Sequence, residues 1–548
     1  MEEAISEVKE VLPSSITEDK KRWYAVKFLE NDEKVKEAMK LSASGQSLVD
    51  SKRQDLEKKH DDDMESIVTD ERYKFIQKIV NTTVKKAKDK LTVSDKIDRI
   101  VTNRILGIPI FVAVMWLVYY VSVTTVGTFV TDWTNDVFVV AIQDFFTNIL
   151  TGIGASDMVM GLVVDGIIGG LGAVLGFVPQ MAILFLFLSI LEDCGYMVRI
   201  AFVMDRVFRH FGLSGKSFIP LLISSGCGIP GIMASKTIEQ DNDRRLTIMT
   251  ATFVPCGAKL PVIALMGGVM AGYVTGWDIA GFITPLMYFV GIVAVLVAAI
   301  MLKKTKPFSG KPAPFVMELP QYHIPSARTV LLHVWERLKG FFIKAGTVLF
   351  LACVVMWILS TFGVQDGAFG MVEDSADSLM AIVGGAIAPL FAPLGWGEWQ
   401  PVAAAISGFS AKEGIVSTMG VLANVAGDVE DADTVAAGVG MWFPTALAGF
   451  SFLLFNLLDS PCLAAISTMA KEMQSRKWFW FAIVFQNVFA YAVTLVVYQI
   501  GSFLLYGTFG AWTVIAFAVL LFMLFMLFRP DPYKDQKTYA KRSVQAAS

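Results

Sequence analysis

From Ile105 to Phe528 the chain is a succession of apolar runs, each close to the length that crosses a bilayer. Lipid offers backbone no hydrogen-bond partner. The chain there is helical, or leaves the helix only where protein or a water-filled cavity receives it. Two breaks stand out against that constraint. Gly226-Cys227-Gly228-Ile229-Pro230-Gly231 interrupts one apolar run. Pro255-Cys256-Gly257, with Lys259 and Pro261 just behind, interrupts the next. Glycine and proline weaken or stop a helix. A broken membrane helix that carries a soft ligand is a candidate binding site rather than a plain span. Glu192, Asp193 and Arg199 end a long apolar run. Charge is costly at membrane depth, which makes these three functional suspects as well.

Composition excludes an ordinary soluble domain. The 548 residues are 54% hydrophobic and 18% charged, against roughly 45–50% and about 25% for soluble globular chains. The net charge of -3 says little, because residues 1–104 are densely charged and most of the remainder is not. Cys194, Cys227, Cys256, Cys353 and Cys462 all lie in apolar surroundings with no CxxC pair, so no disulfide framework is expected. The acidic, amphipathic start MEEAISEVKE lacks the basic and apolar regions of a signal peptide.

The expected fold is an all-α polytopic membrane protein with a small N-terminal helical cytoplasmic region. Residues 1–95 form that region, with helical stretches at Trp23–Leu29, Ser47–Ser66 and Tyr73–Leu91. Phe75, Ile76, Ile79, Val80 and Val84 make an apolar stripe on the last of these. The apolar surface is too small for a robust independent domain. The basic run Ser94–Arg104 precedes a first span at Ile105–Val126 and places that end in the cytoplasm. Residues 129–157 carry Asp132, Asp136, Asp144 and Asp157 and suit the outside; Asp165–Gly176 suits a re-entrant or tightly packed helix. Phe177–Val203 reads as the next span. Phe218–Ala234 has basic residues on both flanks, Lys216 on one side and Lys236, Arg244 and Arg245 on the other. It is expected to enter and return, with the Gly226–Gly231 break at its turn. Further spans fall at Leu246–Gly272, Ile279–Leu302, Phe341–Phe362, Gly438–Leu458, Trp478–Leu505 and Trp512–Phe528. A weaker apolar pair lies at Leu379–Leu422, between acidic loops around Glu373 and Asp431. About eight full spans result, with broken or re-entrant segments and both termini cytoplasmic. The domain boundaries expected are 96–302 and 341–528 for two membrane repeats, 303–340 for a cytoplasmic loop and 529–548 for a cytoplasmic tail.

An internal echo supports two repeats. Cys227 is followed nine residues later by Lys236 and then by Arg244; Cys462 is followed nine residues later by Lys471 and then by Arg476. Two halves that each hold a broken helix are a recurring transporter plan.

Thiolate suits Fe(II), Zn and Cu(I), so Cys227, Cys256 and Cys462, each beside a proline or glycine break, are metal-ligand candidates. The competing reading is that a free cysteine is a small buried hydrophobe, which is preferred for Cys353 and stays open for Cys194. Asp459 beside Cys462 is a further ligand candidate, since a carboxylate with a thiolate suits a divalent ion. Glu192, Asp193 and Arg199 fit either hard ligands at a pathway entrance or a structural ion-pair network. Lys412-Glu413, between Gly408 and Gly414, fits a gating pair or a structural salt bridge. Gly212-Leu213-Ser214-Gly215-Lys216-Ser217 is not a phosphate loop, because His210 stands where the first glycine belongs. With no GxxxxGK[ST], HExxH or GxSxG and four histidines in all, catalysis and a resident cofactor are not expected of these residues.

The motifs EDCGYMVRIAFVMD (192–205), GLSGKSFIPLL (212–222), GCGIPGIMASKTIE (226–239), RRLTIMTATFVPCGAKLPV (244–262), GFSAKEGIVSTMG (408–420) and DSPCLAAISTMAKE (459–472) together resemble the membrane domain of ferrous iron transport protein B (FeoB). The likeness runs from about Ser94 to Gln499. It implies two gate repeats and uptake of Fe(II) across the bacterial inner membrane, with Fe(II) as transported substrate. The family's proposed iron-path cysteines fall on Cys227, Cys256 and Cys462. Its acidic gate motif falls on Glu192 and Asp193, where Cys194 replaces a common serine. The resemblance also implies a GTP-binding domain, expected here on a separate or removed segment, with residues 1–95 as the end of the helical regulatory domain. A small accessory protein and a homo-oligomer are implied partners, besides lipid; nucleic acid is not. Two other functions remain: a gate-type carrier of nucleoside or another small solute, and a metal-sensing receptor without flux.

Overall fold

A computed structural model describes residues 2–13, 16–32, 35–36, 39, 41–60, 64–83, 93–103, 106–210, 215–238, 240–273, 279–309, 321–341, 347–365, 368–372, 375–423, 436 and 438–530. The chain divides into two compact units, Met1–Thr92 and Val93–Ser548.

The first unit is built from the helices Glu2–Glu10, Glu18–Leu29, Ala43–His60 and Met64–Thr83. Its core joins Ile5, Val8, Phe28, Leu29, Val49, Ile67 and Val68, among others. The expected stripe on the last helix is not part of that core. Phe75, Ile76 and Ile79 are exposed, because the helix packs through its first turns, at Met64, Ile67 and Val68. Val84 lies outside the described residues.

Among its described residues the second unit is all-α apart from one short hairpin. Among the described residues, six helices are long and apolar enough to cross a membrane: Phe129–Ile153, Asp241–Ala271, Gly281–Lys303, Ala446–Glu472, Arg476–Tyr506 and Ala511–Phe528. Two apolar helix pairs bend sharply, Val178–Asp193 with Tyr196–Asp205 by 77° and Leu379–Leu394 with Trp399–Ser410 by 101°. Counting each bent pair as one span gives up to eight. The chain is a multi-pass membrane protein.

Several local expectations change. Within residues 129–157, expected outside the membrane, Phe129–Ile153 is a continuous helix long and apolar enough to cross it, since Asp132, Asp136 and Asp144 are too sparse to offset the residues between them. Phe177–Val203 is not one straight span. It turns after Asp193, where Gly195 takes φ +85°, a left-handed conformation that glycine adopts without strain. After Thr361 the connection includes a short hairpin, Phe362–Gln365 pairing antiparallel with Ala368–Met371. The acidic residues Asp366, Glu373, Asp374, Asp428, Glu430, Asp431 and Asp433 lie outside the described residues, as does the tail from 531 onward.

Two helical hairpins and two broken spans make the core. Phe218–Gly226 stops at Cys227 and Gly228–Ala234 folds back along it. Gly231 shows how close the return is: a Cβ there would collide with Ser224 Oγ and sit 2.8 Å from the Pro220 carbonyl oxygen. In the second half Trp399–Ser410 stops at Ala411 and Gly414–Leu422 folds back, with Thr418 donating to Ser407 Oγ at 2.9 Å. The two turns share one backbone shape. Cys227 has φ -151°, ψ 133° and Ala411 has φ -148°, ψ 134°. Each hairpin is followed by a helix broken at a Pro-Cys pair, Pro255-Cys256 before Leu260–Ala271 and Pro461-Cys462 before Leu463–Glu472.

The echo in the sequence therefore links the wrong breaks. Cys227 corresponds to Ala411, and Cys256 corresponds to Cys462. The halves also interlock. Gly228–Ala234 packs on Leu463–Glu472 of the other half, and Leu260–Ala271 packs on Gly414–Leu422. Lys236 and Glu472 close the first of these contacts at 3.1 Å.

Candidate metal pathway

All the breaks open on one cavity of about 1210 Å³. Cys227, Cys256 and Cys462 line it, each half-buried and unpaired by disulfide. Each is delivered by backbone that has left the helix: Cys227 by a hairpin turn, Cys256 and Cys462 by the residue after a proline. Glu413 and Lys412 line the same cavity. Among the described residues no three His, Cys, Asp or Glu side chains stand close enough to hold an ion together. The thiols therefore share a chamber without forming a closed cage.

The polar wall is built across the breaks. Lys412 does not pair with its neighbour Glu413. Its Nζ contacts both Asp459 carboxylate oxygens, at 2.6 and 2.7 Å, and both side chains are almost wholly buried. Asp459, a ligand candidate by sequence, is thus committed to a lysine and is not among the cavity-lining residues. Lys259 donates to the Thr252 carbonyl at 3.0 Å and to the Leu457 carbonyl at 2.6 Å. It ties a broken end of each half together. Gln486 does the same from the helix Arg476–Tyr506, donating to the Met249 carbonyl at 2.9 Å and to Thr252 Oγ1 at 3.0 Å. Its neighbour Asn487 donates to Ser460 Oγ at 2.8 Å. The only sequence signal for Gln486 and Asn487 is an adjacent pair of amides inside an otherwise apolar run.

Glu192, Asp193 and Arg199 do not line this cavity, and they do not pair with one another. Glu192 pairs with Arg337, and Asp193 stands 3.8 Å from His323. Arg199, 1% exposed, bonds Asp98 at 2.5 and 3.2 Å, donates to the Gly195 carbonyl at 2.9 Å and stacks 3.7 Å from the Tyr322 ring centre. The bend at Gly195 separates Glu192 and Asp193, at the end of one helix, from Arg199 in the next, and together they gather the segments holding Asp98, Tyr322 and Arg337. Cys194 donates to the Leu191 carbonyl and also stays off the cavity wall. The side chain of Cys353 lies outside the described residues.

Three stretches match family models: the FeoB cytosolic helical domain over residues 1–85, the ferrous iron transport protein B C terminus over 284–337, and the gate module, described as nucleoside recognition, over 174–270 and 342–476. The two gate segments contain the two hairpins and both Pro-Cys breaks. An Fe(2+) transporter FeoB of Staphylococcus aureus strain MSSA476 is 36% identical over 509 residues, covering 91% of this chain and 73% of that protein. This chain belongs to the FeoB family. The FeoB of Methanocaldococcus jannaschii is 34% identical over 88% of this chain and 70% of its own length. A Porphyromonas gingivalis relative, named as an Fe(2+) transport protein A/Fe(2+) transporter FeoB fusion protein, is 31% identical over 88% of this chain and 61% of its own length. No solved structure gives a significant match.

Proposed function

We propose that this FeoB chain carries Fe(II) through the membrane as the permease part of a GTPase-coupled uptake system. The observation that supports it most is the meeting of three thiols, from three separate helix breaks in both halves, on one cavity. Sulfur donors suit Fe(II) better than they suit Mg(II) or Ca(II). An open set of thiols lets an ion bind without trapping it, as conduction requires. Glu413 adds a carboxylate on the same wall. Transport itself asks no bond-making of these residues; GTP hydrolysis belongs to a P-loop domain on another segment. The partners in this reading are that domain, a small accessory protein of the kind fused to the P. gingivalis relative, and further copies of the chain. The location is the bacterial cytoplasmic membrane, with both termini in the cytoplasm. Glu192, Asp193 and Arg199 form a positioning layer outside the cavity.

Anaerobic uptake of radiolabelled Fe(II) into proteoliposomes tests this. Cys227→Ser, Cys256→Ser and Cys462→Ser should each lower uptake by about tenfold, the worth of about 1.4 kcal/mol at the limiting step, with expression intact. Wild-type uptake in all three would defeat the thiol pathway. A second reading, transport of a nucleoside, draws on the size of the cavity and on the description of the gate module. Parallel uptake of labelled nucleoside separates the two. Metal binding without flux of either would point to a sensor.

A further inference from the structure

Lys412 stands between a buried carboxylate and the open cavity. It is on the cavity wall, whereas Asp459 behind it is 0% exposed and does not line that space. The ammonium holds both carboxylate oxygens. That is the place a cation would take if the lysine were elsewhere.

A second space borders the lysine. This much smaller cavity of about 10 Å³ is lined by Lys259, Lys412 and Asn456 among apolar side chains that include Ile263, Ile415 and Leu453, space for about one water molecule. Asn456 is 3% exposed, and its Nδ2 donates to the Phe452 carbonyl at 3.0 Å. Its Oδ1 has no hydrogen-bond partner. A buried amide oxygen left without a donor is costly and therefore uncommon. Lys412 thus borders both spaces, with a carboxylate at its present position and an unsatisfied acceptor beside the alternative one.

We propose that Lys412 is a tethered stand-in for the transported ion. It occupies Asp459 until an incoming divalent cation displaces it, and Asn456 Oδ1 then receives the ammonium. No covalent step is involved; one cation replaces another on the same carboxylate. The exchange keeps Asp459 from ever being buried without a counter-charge, which would be strongly destabilising. It also favours a divalent ion, because the attraction to Asp459 grows with the charge of the cation that replaces the lysine. This deepens the Fe(II) reading and rests on it for the identity of the ion.

The test uses the full chain in detergent, with calorimetric titration of Mn(II) in air and of Fe(II) under anaerobic conditions. Lys412→Met, which keeps length and removes charge, should bind Mn(II) about tenfold more tightly than wild type. Adding Asp459→Asn to it should abolish that gain. A folded Lys412→Met protein with wild-type affinity would overturn the proposal. Asn456→Leu keeps the ion pair and provides a route that does not depend on Lys412→Met folding. It should weaken Mn(II) binding about tenfold and slow Fe(II) uptake by a similar factor. Wild-type binding and uptake in Asn456→Leu would also overturn it. If wild-type proteoliposomes take up no Fe(II) while Lys412→Met still gains affinity, the permease reading falls and the displacement stands.

Discussion

A serine in place of a cavity cysteine changes one atom, and under the proposed pathway that atom would decide which ions are held. Oxygen is the harder donor, so Cys227→Ser and Cys462→Ser should lose more affinity for Zn(II) than for Mn(II). Competition binding of the two ions on the purified chain reads that shift. Equal losses would mean that the sulfur atoms only fill space. Outside the cavity, Arg199 carries a two-point bond to Asp98 and a stack on Tyr322. A lysine keeps the charge and loses the planar fork. Arg199→Lys should therefore cost about 1–3 kcal/mol, seen as a lower melting temperature in detergent with Fe(II) affinity unchanged. At this scale the thiols were legible in the sequence, because glycine and proline beside a cysteine mark backbone that has left the helix. The partners of Lys412, Lys259 and Gln486 were not. They lie 47, 198 and 237 residues away along the chain, and no local pattern encodes such distances. The cost of Glu192 and Asp193 in lipid is visible in the sequence, which leaves pathway ligands and a structural ion-pair network both open; Arg337 and His323, which accompany them, sit on segments that local sequence does not connect to them.

A helical hairpin stands or falls with the clearance between its arms. Gly231 supplies that clearance, lying against Ser224 and Pro220. Gly231→Ala should push the return arm away from its partner, move Cys227 on the cavity wall and reduce both folded yield and uptake. Size-exclusion profiles and the uptake assay check it, with Gly340→Ala as a control at a site where a Cβ meets nothing within 4 Å. The first hairpin was readable from the sequence because basic flanks on both sides of a short apolar segment require the chain to return. The second was not, since Lys412 and Glu413 at its turn read as a charge pair rather than a reversal. The bend at Gly195 was equally hidden: a single glycine behind Glu192 and Asp193 does not disclose its φ.

For the whole molecule, the family and the approximate number of spans followed from long apolar runs and six extended motifs. The correspondence between halves did not, because the visible Cys-to-Lys spacing matched segments that pack on each other rather than segments that play the same part. The N-terminal unit carries a core of its own, so a fragment covering Met1–Thr92 should be helical by circular dichroism and unfold cooperatively, at low temperature for its size. A featureless, non-cooperative melt would mean that this core needs the rest of the chain. In the membrane unit each half props up the other, since Gly228–Ala234 leans on Leu463–Glu472 and Gly414–Leu422 leans on Leu260–Ala271. Woven this way, the two halves could swing apart like doors only by breaking both of these contacts. In the proposed transport the passage would then widen as kinks within a half straighten or deepen, so the parts expected to move are the same short turns that line the cavity.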